Sequence, residues 1–181
     1  MQPVWFHALQ GRLSGGGVSR SARTVGDLKG FFADEEARLK MSPDTVVYEV
    51  EMHDACGNVE GGLFFGISRV YPGKVGSEYF MTKGHFHAVR NRGEYYWGIQ
   101  GEGLLVLMDA DRNFRTETVV PGSLHYIPGH IAHRLVNTGD TVLVVGACWP
   151  SDAGHDYDTI ARDGFSCRVV ENGGKAEVVP V

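Results

Sequence analysis

The sequence predicts an all-β protein: a single barrel or jelly roll with a short helical segment near the N-terminus. Two observations lead to this expectation. From residue 46 onward, short β-rich runs alternate with turn residues, and many short strands at this spacing are typical of barrels and jelly rolls. The chain also has 181 residues, of which 43% are hydrophobic, which is enough for one domain with a substantial core.

Residues 1–45 are predicted to form an extension with short helices that packs on the barrel. Roughly the first 22 residues are expected to be irregular, because Gly15-Gly16-Gly17 marks a flexible stretch or a turn. Residues 24–40 are predicted to form one or two short helices. Within them, Asp34-Glu35-Glu36 would place acidic side chains at the positive end of a helix dipole.

Residues 46–181 are predicted to form the barrel and a C-terminal extension. The candidate strands are residues 46–53, 62–71, 79–82, 94–99, 103–108, 115–119, 124–127, 134–137 and 142–148. The turn signals between them are Tyr71-Pro72-Gly73, Gly101-Glu102-Gly103, Pro121-Gly122 and Thr138-Gly139-Asp140. A last short helix is expected at residues 158–163, and the tail from Ser166 is expected to add strands.

Composition argues against several classes of partner. The net charge is −5 and the basic residues are scattered, which gives no reason to expect nucleic acid or a membrane surface. No segment approaches the roughly 20 apolar residues that span a bilayer, and the N-terminus does not resemble a signal peptide. The three cysteines are widely separated, which argues against a disulfide framework. We therefore expect a cytoplasmic protein.

The run Gly84-His85-Phe86-His87 carries the strongest functional signal. Two histidines two residues apart in a strand project to the same face. Glu94 and His133, arriving on neighbouring strands, would complete a pocket of three nitrogen ligands and one oxygen ligand. Such a set suits one divalent ion of iron, manganese, nickel or zinc, and four ligands leave room for substrate or water.

The spacing of these residues resembles the two sequence motifs of the cupin superfamily, a small β-barrel with its metal in the barrel mouth. The pattern consists of His85-x-His87, Glu94, Gly101, Pro121-Gly122, Pro128, His133 and Asn137. The resemblance implies that His85, His87, Glu94 and His133 are the metal ligands. Two departures stand out: six residues separate His87 from Glu94, where cupins usually have fewer, and His130 occupies a position that is usually glycine.

Longer segments resemble one cupin subfamily, the cupin-type glucose-6-phosphate isomerases. They are Tyr71-Pro-Gly-Lys-Val-Gly, Met81-Thr-Lys-Gly-His-Phe-His87, Ala132-His-Arg, Asn137-Thr-Gly-Asp140 and Asp152-Ala-Gly-His-Asp-Tyr157. The resemblance covers residues 24–165 and implies reversible conversion of glucose 6-phosphate to fructose 6-phosphate. Iron(II) is the expected ion, with manganese, nickel and zinc as alternatives.

The chemistry of this isomerisation leaves two routes open. A divalent ion can stabilise the negative charge of a cis-enediolate while a carboxylate carries the proton, and Glu94 is the nearest candidate. A ligand carboxylate is a weak base, so a hydride shift without a base is the other route. Tyr96, two residues after Glu94, is expected to share its inward face and to contact sugar or relay a proton; a buried core tyrosine is the alternative.

The resemblance also implies substrate contacts. Tyr48, Ser68, Thr82 and the backbone N–H of Gly84 should line the phosphate pocket, because hydroxyls and amides are ordinary phosphate donors. His155 and Tyr157 should reach over the mouth and contact the sugar. Lys83 is expected to point outward or to the rim.

Two other functions remain alternatives at this point. A cupin dioxygenase would use the same ligands with iron and oxygen, and a non-catalytic cupin would only bind a sugar phosphate. Thr82, Gly84, His155 and Tyr157 disfavour the dioxygenase, and the lack of a basic patch weakens a DNA-binding regulator. By analogy with other cupins we expect a homodimer.

Overall fold

The computed structural model describes residues 3–181 and consists almost entirely of strands. The strands are β1 (Val4–His7), β2 (Arg12–Gly15), β3 (Val18–Thr24), β4 (Val46–Asp54), β5 (Leu63–Val70), β6 (Lys74–Val75), β7 (Glu78–Tyr79), β8 (Glu94–Gln100), β9 (Gly103–Met108), β10 (Phe114–Val119), β11 (Leu124–Ile127), β12 (Ala132–Asn137), β13 (Leu143–Pro150), β14 (Cys167–Asn172) and β15 (Lys175–Pro180). The helices are α1 (Glu35–Leu39) and α2 (Tyr157–Asp163). The prediction of an all-β fold is confirmed.

The strands pair antiparallel in four sheets. A six-stranded sheet has the order β11-β8-β13-β5-β4-β3, and a three-stranded sheet has the order β10-β9-β12. Two smaller sheets contain β15-β14-β7-β6 and β1-β2. Within residues 3–181 the ladders therefore form separate sheets and not one closed barrel.

The two larger sheets meet in one hydrophobic cluster. Leu105 and Leu107 of β9, Leu135 of β12 and Val145 of β13 each expose 1% or less of their surface. Every residue of β12 is buried, including His133 and Asn137. Because its polar side chains are held inside this cluster, β12 provides a rigid support for the candidate metal centre.

The N-terminal region differs from the expectation of an irregular segment followed by helices. Residues 4–24 contain three strands, and β3 pairs with β4 along the edge of the six-stranded sheet. Only α1 is helical between residues 24 and 40, where the Asp34 side chain accepts a hydrogen bond from the Ala37 N–H at 2.8 Å. The division of the chain at residue 45 stays a prediction.

Buried Glu51 helps to explain why these strands were not predicted from the sequence. Its carboxylate is 2% exposed and accepts hydrogen bonds from Arg12 at 3.0 Å, from Arg20 at 3.3 Å and from the Leu13 N–H at 2.5 Å. Residues 18–24 contain few apolar side chains, so their attachment depends on backbone pairing and on this carboxylate. Period-two hydrophobicity does not detect such a strand.

The remaining elements agree closely with prediction. Helix α2 occupies the region expected at residues 158–163, and Asp156 caps it by accepting a hydrogen bond from the Thr159 N–H at 3.1 Å. Strands β14 and β15 form in the tail. The run predicted at residues 79–82 is shorter than expected, since β7 ends at Tyr79 and Met81 makes one isolated bridge to Val136. In the described part of the chain, no helix has the length and apolar character needed to cross a membrane.

Candidate metal centre and the adjoining pocket

The segment that contains His85 and His87 is held between two neighbours. The His85 N–H donates to the His133 carbonyl at 3.3 Å, and the His133 N–H donates to the His85 carbonyl at 3.1 Å. The backbone of Phe86 turns to the other side and pairs with Asp156. The two histidines were expected in a regular strand; they lie instead in a segment of isolated bridges that still directs both rings to one place.

Glu94 and His133 complete the group from two different sheets. Glu94 is the first residue of β8, and His133 is the second residue of β12. One ligand atom from each of His85, His87, Glu94 and His133 lies within 4.8 Å of the others. The structure thus brings together all four residues that the resemblance implied as ligands.

The inward atoms of this group have no hydrogen-bonding partner among residues 3–181. They are the Nε2 atoms of His85, His87 and His133 and the Oε1 atom of Glu94, and all four are buried. Glu94 Oε1 lies 2.6 Å from His133 Nε2 and 3.3 Å from His87 Nε2, but the atoms are not aligned for hydrogen bonds. Buried polar atoms are normally satisfied, so four convergent unsatisfied atoms fit a bound cation.

The outward ring nitrogens support the same interpretation. His87 Nδ1 lies 2.7 Å from the Arg92 carbonyl, and His133 Nδ1 lies 3.4 Å from the Ile131 carbonyl. A carbonyl only accepts, so each Nδ1 carries the proton and each Nε2 presents its lone pair to the centre. Metal-ligating histidines are commonly oriented in this way.

Burial and neighbouring charges shift the pKa values of His85, His87 and Glu94. Burial lowers the pKa of His85 well below its usual range, and the neighbouring imidazoles lower it further. Burial alone would raise the pKa of Glu94, but the adjacent His133 and His87 outweigh it and lower that pKa to about 2. For His87, burial lowers the pKa and the Glu94 carboxylate more than compensates, so the net direction is upward. A cation would therefore meet an ionised Glu94 and would compete with a proton at His87.

A pocket of about 230 Å³ opens from this group. All the substrate contacts implied by the resemblance line it, as does the predicted catalytic Tyr96: Tyr48, Ser68, Thr82, Gly84, Tyr96, His155 and Tyr157. His85, Glu94 and His133 form part of its wall. The pocket is thus lined both by metal-ligand candidates and by residues that carry hydroxyl groups.

Thr82 and Gly84 are fixed beside β12. The Thr82 N–H donates to the Leu135 carbonyl at 2.9 Å, and Thr82 Oγ1 accepts from the Leu135 N–H at 3.1 Å, so the hydroxyl proton is free to donate into the pocket. Gly84 has φ of +71°, and a Cβ there would lie 2.6 Å from the Phe165 ring. Only glycine tolerates this close approach and this backbone conformation.

Tyr96 lies on β8 beside the metal-ligand candidates. Its ring is 9% exposed and packs edge-on against the His133 ring at 5.6 Å. Burial and the nearby Glu94 charge raise the pKa of Tyr96 well above 10. Its phenol therefore keeps its proton at neutral pH and serves as a hydrogen-bond donor.

Residues 151–157, which we term the mouth segment, carry His155 and Tyr157 to the opening. The two rings stack with centroids 5.4 Å apart, and His155 meets His85 edge-on at 4.3 Å. Arg92 holds the segment through two hydrogen bonds to Asp152, at 3.0 and 2.6 Å, and Arg90 pairs with Asp156. The segment is thus attached to the same loop that follows His87.

Sequence reasoning missed part of the pocket wall. Ser19, Ser21 and Arg23 of β3 line the pocket, and so does Lys83, whose ammonium lies 5.4 Å from the Phe31 ring centre. The alternation of these three β3 residues was the available signal, because side chains two apart in a strand share a face. His130, which occupies the position that is usually glycine in cupins, is exposed and does not line this pocket.

Comparison with known proteins gives a consistent result. The model of the family described as Glucose-6-phosphate isomerase (GPI) matches residues 22–179. The chain is 46% identical over 163 residues to the glucose-6-phosphate isomerase of Thermococcus litoralis, covering 89% of this chain and 85% of the relative. It is 45% identical over 165 residues to that of Pyrococcus horikoshii, covering 90% and 87%.

Among solved structures, a Bacillus subtilis oxalate decarboxylase is similar with a TM-score of 0.47 and 23% identity. The match covers 58% of this chain and 26% of the decarboxylase chain.

Proposed function

Since the chain belongs to the glucose-6-phosphate isomerase family, we propose that its pocket interconverts glucose 6-phosphate and fructose 6-phosphate with the help of one divalent metal ion. The observation that carries the metal dependence is the set of four buried, unpartnered and convergent ligand atoms. Hydroxyl and cationic groups on the same pocket wall suit a phosphorylated sugar.

His85, His87, Glu94 and His133 are proposed as the ligands, with iron(II) favoured over manganese, nickel and zinc. Three neutral imidazoles and a carboxylate match the donor preferences of these ions. When bound, such an ion supplies stabilisation of the negative charge that develops on the sugar oxygens. The backbone carbonyls of Arg92 and Ile131 orient the rings of His87 and His133 for this task.

The phosphate group is proposed to lie near Tyr48, Ser68, Thr82 and the N–H of Gly84. Tyr48 and Ser68 come from the adjacent strands β4 and β5, where Val50 pairs with Ser68. Burial, as the main cause, raises the pKa of Tyr48 to about 12, so its hydroxyl remains a donor. The pocket-lining Arg23 and Lys83 add positive charge for a dianionic group.

His155 and Tyr157 are proposed to contact the sugar at the mouth of the pocket. Their stacked rings leave polar edges for the sugar hydroxyls, while the Arg90 and Arg92 ion pairs hold the mouth segment in place. Holding the sugar chain in one orientation is itself a large contribution to rate.

The proton transfer is proposed to involve Glu94 and Tyr96. The ionised Glu94 can accept a proton and the protonated Tyr96 can donate one, and both line the pocket. A hydride shift would need neither. Isomerisation in heavy water separates the routes, because proton exchange incorporates deuterium into the product and a hydride shift retains the original hydrogen.

The direct test is an isomerase assay on purified protein that has been stripped with a chelator and reloaded with single metals. We expect activity with glucose 6-phosphate after reloading with iron or manganese, and almost none in the stripped sample. Full activity in the stripped sample would refute the metal dependence. Tight sugar-phosphate binding without turnover in every reloaded sample would refute the isomerase function.

We further propose a homodimer that acts in glycolysis and gluconeogenesis in the cytoplasm. Exposed apolar side chains support self-association, among them Trp5 at 62% and Leu124 at 67% exposure. Light scattering across a range of protein concentrations measures the assembly directly.

A further inference from the structure

A second polar pocket lies on the opposite side of β12 from the metal-ligand candidates. His133 lines the first pocket, while Arg134, the next residue of the strand, lines the second together with Arg162, Asp163, Phe165 and Arg168. Successive side chains of a strand point to opposite faces, which explains how one strand serves two pockets. We propose that this second pocket, which the isomerase chemistry does not use, binds a small oxyanion of the phosphate class.

Arg134 is the main reason for this proposal. Its side chain is buried, with 5% exposure, and its guanidinium stacks on Phe165 at 4.3 Å. One Nη2 hydrogen bond to the Lys83 carbonyl, at 2.6 Å, holds it in place, while the buried Nε has no hydrogen-bond partner. Across residues 3–181, no carboxylate oxygen lies within 4.0 Å of this guanidinium. A buried cation without a counter-ion is costly, and an anion would remove that cost.

The nearby carboxylates are already engaged. Both oxygens of Glu78 accept hydrogen bonds from Arg168, at 2.8 and 2.9 Å, and one of them also accepts from the Ala33 N–H. Asp163 is paired with Arg162 at 2.8 and 2.9 Å. Three guanidinium groups line the pocket, but Asp163 pairs with Arg162 and Glu78 pairs with Arg168, so the charge of Arg134 is the one left without a carboxylate partner among residues 3–181.

The end of α2 does not cancel this charge. A helix C-terminus is weakly negative, and residues 160–164 border the pocket. However, Arg112 Nη1 donates to the carbonyls of Asp163 at 3.2 Å and of Gly164 at 3.4 Å, which occupies two of the terminal carbonyls. The free hydrogen-bonding capacity around the pocket is thus mainly donor capacity.

The size of the pocket limits the ligand. Its volume is about 200 Å³, similar to the first pocket, so phosphate or a short phosphate monoester fits and a nucleotide does not. The planar fork of arginine matches tetrahedral oxyanions through paired N–H donors. Arg134 donates a hydrogen bond to the carbonyl of Lys83, which lies between Thr82 and Gly84. An anion bound here would therefore contact the arginine that holds this segment of the first pocket wall.

Calorimetric titration of the manganese-loaded protein with inorganic phosphate tests the proposal without measuring activity. We expect two binding events per chain. Thr82→Val should weaken one of them, and Arg134→Met should weaken the other at least about tenfold, since a charged hydrogen-bonding partner is lost. Methyl phosphate, a short monoester, should bind the second site as inorganic phosphate does.

A second variant protects the test against a folding defect in Arg134→Met. Arg162 is 71% exposed, so Arg162→Glu should fold normally and still weaken the second event severalfold by reversing a charge at the rim. Lys175→Glu, an exposed charge reversal at the β14–β15 hairpin, is the matched control and should change neither event. One binding event in the wild type, or a second event that survives both arginine substitutions, would overturn the proposal.

Discussion

Two histidine–glutamate pairs in this molecule have nearly the same separation but different surroundings. His133 Nε2 lies 2.6 Å from Glu94 in the candidate metal centre, and His125 Nδ1 of β11 lies 2.7 Å from Glu117 of β10, a strand of a different sheet. His125 uses its second nitrogen as well, 2.9 Å from the Ser123 hydroxyl. In the first pair the facing atoms of both residues are left without a hydrogen bond.

This contrast shows that proximity of histidine to glutamate does not identify a ligand group. His125 has a partner for each ring nitrogen and is explained without a bound ion. The group around His133 fits a bound cation, because four buried atoms converge without hydrogen-bond partners in the described part of the chain. Unmet hydrogen-bonding capacity, rather than residue type, separates the two sites.

Of the substitutions that test this comparison, His133→Ala should have the largest effect on metal content and activity. Removal of one ligand should eliminate stoichiometric metal and reduce isomerase activity more than about 100-fold, since even outer partners of ligands cost 10–100-fold. Metal content by elemental analysis and activity after reloading are the measurements. His125→Ala is the control and should retain metal; a metal-replete His133→Ala protein would exclude His133 from the ligand set.

Thr82→Val should produce an intermediate effect at the phosphate end. The lost hydroxyl would raise KM for glucose 6-phosphate about tenfold, the value of one hydrogen bond to a charged group. Metal content should not change. Thr82→Ser keeps the hydroxyl that also accepts from the Leu135 N–H, and it should restore KM. An unchanged KM in Thr82→Val would place the phosphate elsewhere.

Arg92→Gln should have a smaller effect, because it separates two roles of one residue. The backbone carbonyl that orients His87 remains, whereas the side-chain hydrogen bonds to Asp152 are lost. KM should rise about threefold through a looser mouth segment, and metal affinity should stay constant. Lys74→Gln, which removes an ion pair with Glu171, is the control. Loss of metal in Arg92→Gln would contradict this division of roles.

His125→Gln should have the smallest effect on activity. It removes a satisfied pair outside the pocket, so turnover should stay within about twofold while the free energy of unfolding falls by about 1 kcal/mol. Denaturant unfolding and steady-state kinetics measure the two quantities. A strong loss of activity with unchanged stability would show that the two histidine–glutamate pairs are less different than their hydrogen bonds indicate.

The sequence allowed the four metal-ligand candidates to be selected, because much of their signal is local. His85 and His87 are two residues apart, Glu94 opens the strand predicted at residues 94–99, and His133 directly precedes the strand predicted at residues 134–137. The pairing of His85 with His133 across the sheets could not be read from spacing, since it depends on how the segment after β7 docks on β12.

The N-terminal strands could not be predicted for a different physical reason. Residues 18–24 are mostly polar, and their position depends on Glu51, which is more than 25 residues away in the sequence. Lys83 was expected at the rim or outside, and alternation along its segment gave no hint that Arg134 would bond its carbonyl. Contacts of this kind arise only when distant segments meet.

Strand β3 performs two tasks in this molecule. It covers the edge of β4 along the six-stranded sheet, and three of its side chains form part of the pocket wall. A protein cleaved after Thr24 that lost this strand would present the open backbone of β4, and exposed edges of that kind pair with other chains and aggregate. Proteolysis at this point would therefore reduce solubility and substrate affinity together, and intact β3 protects the protein against both.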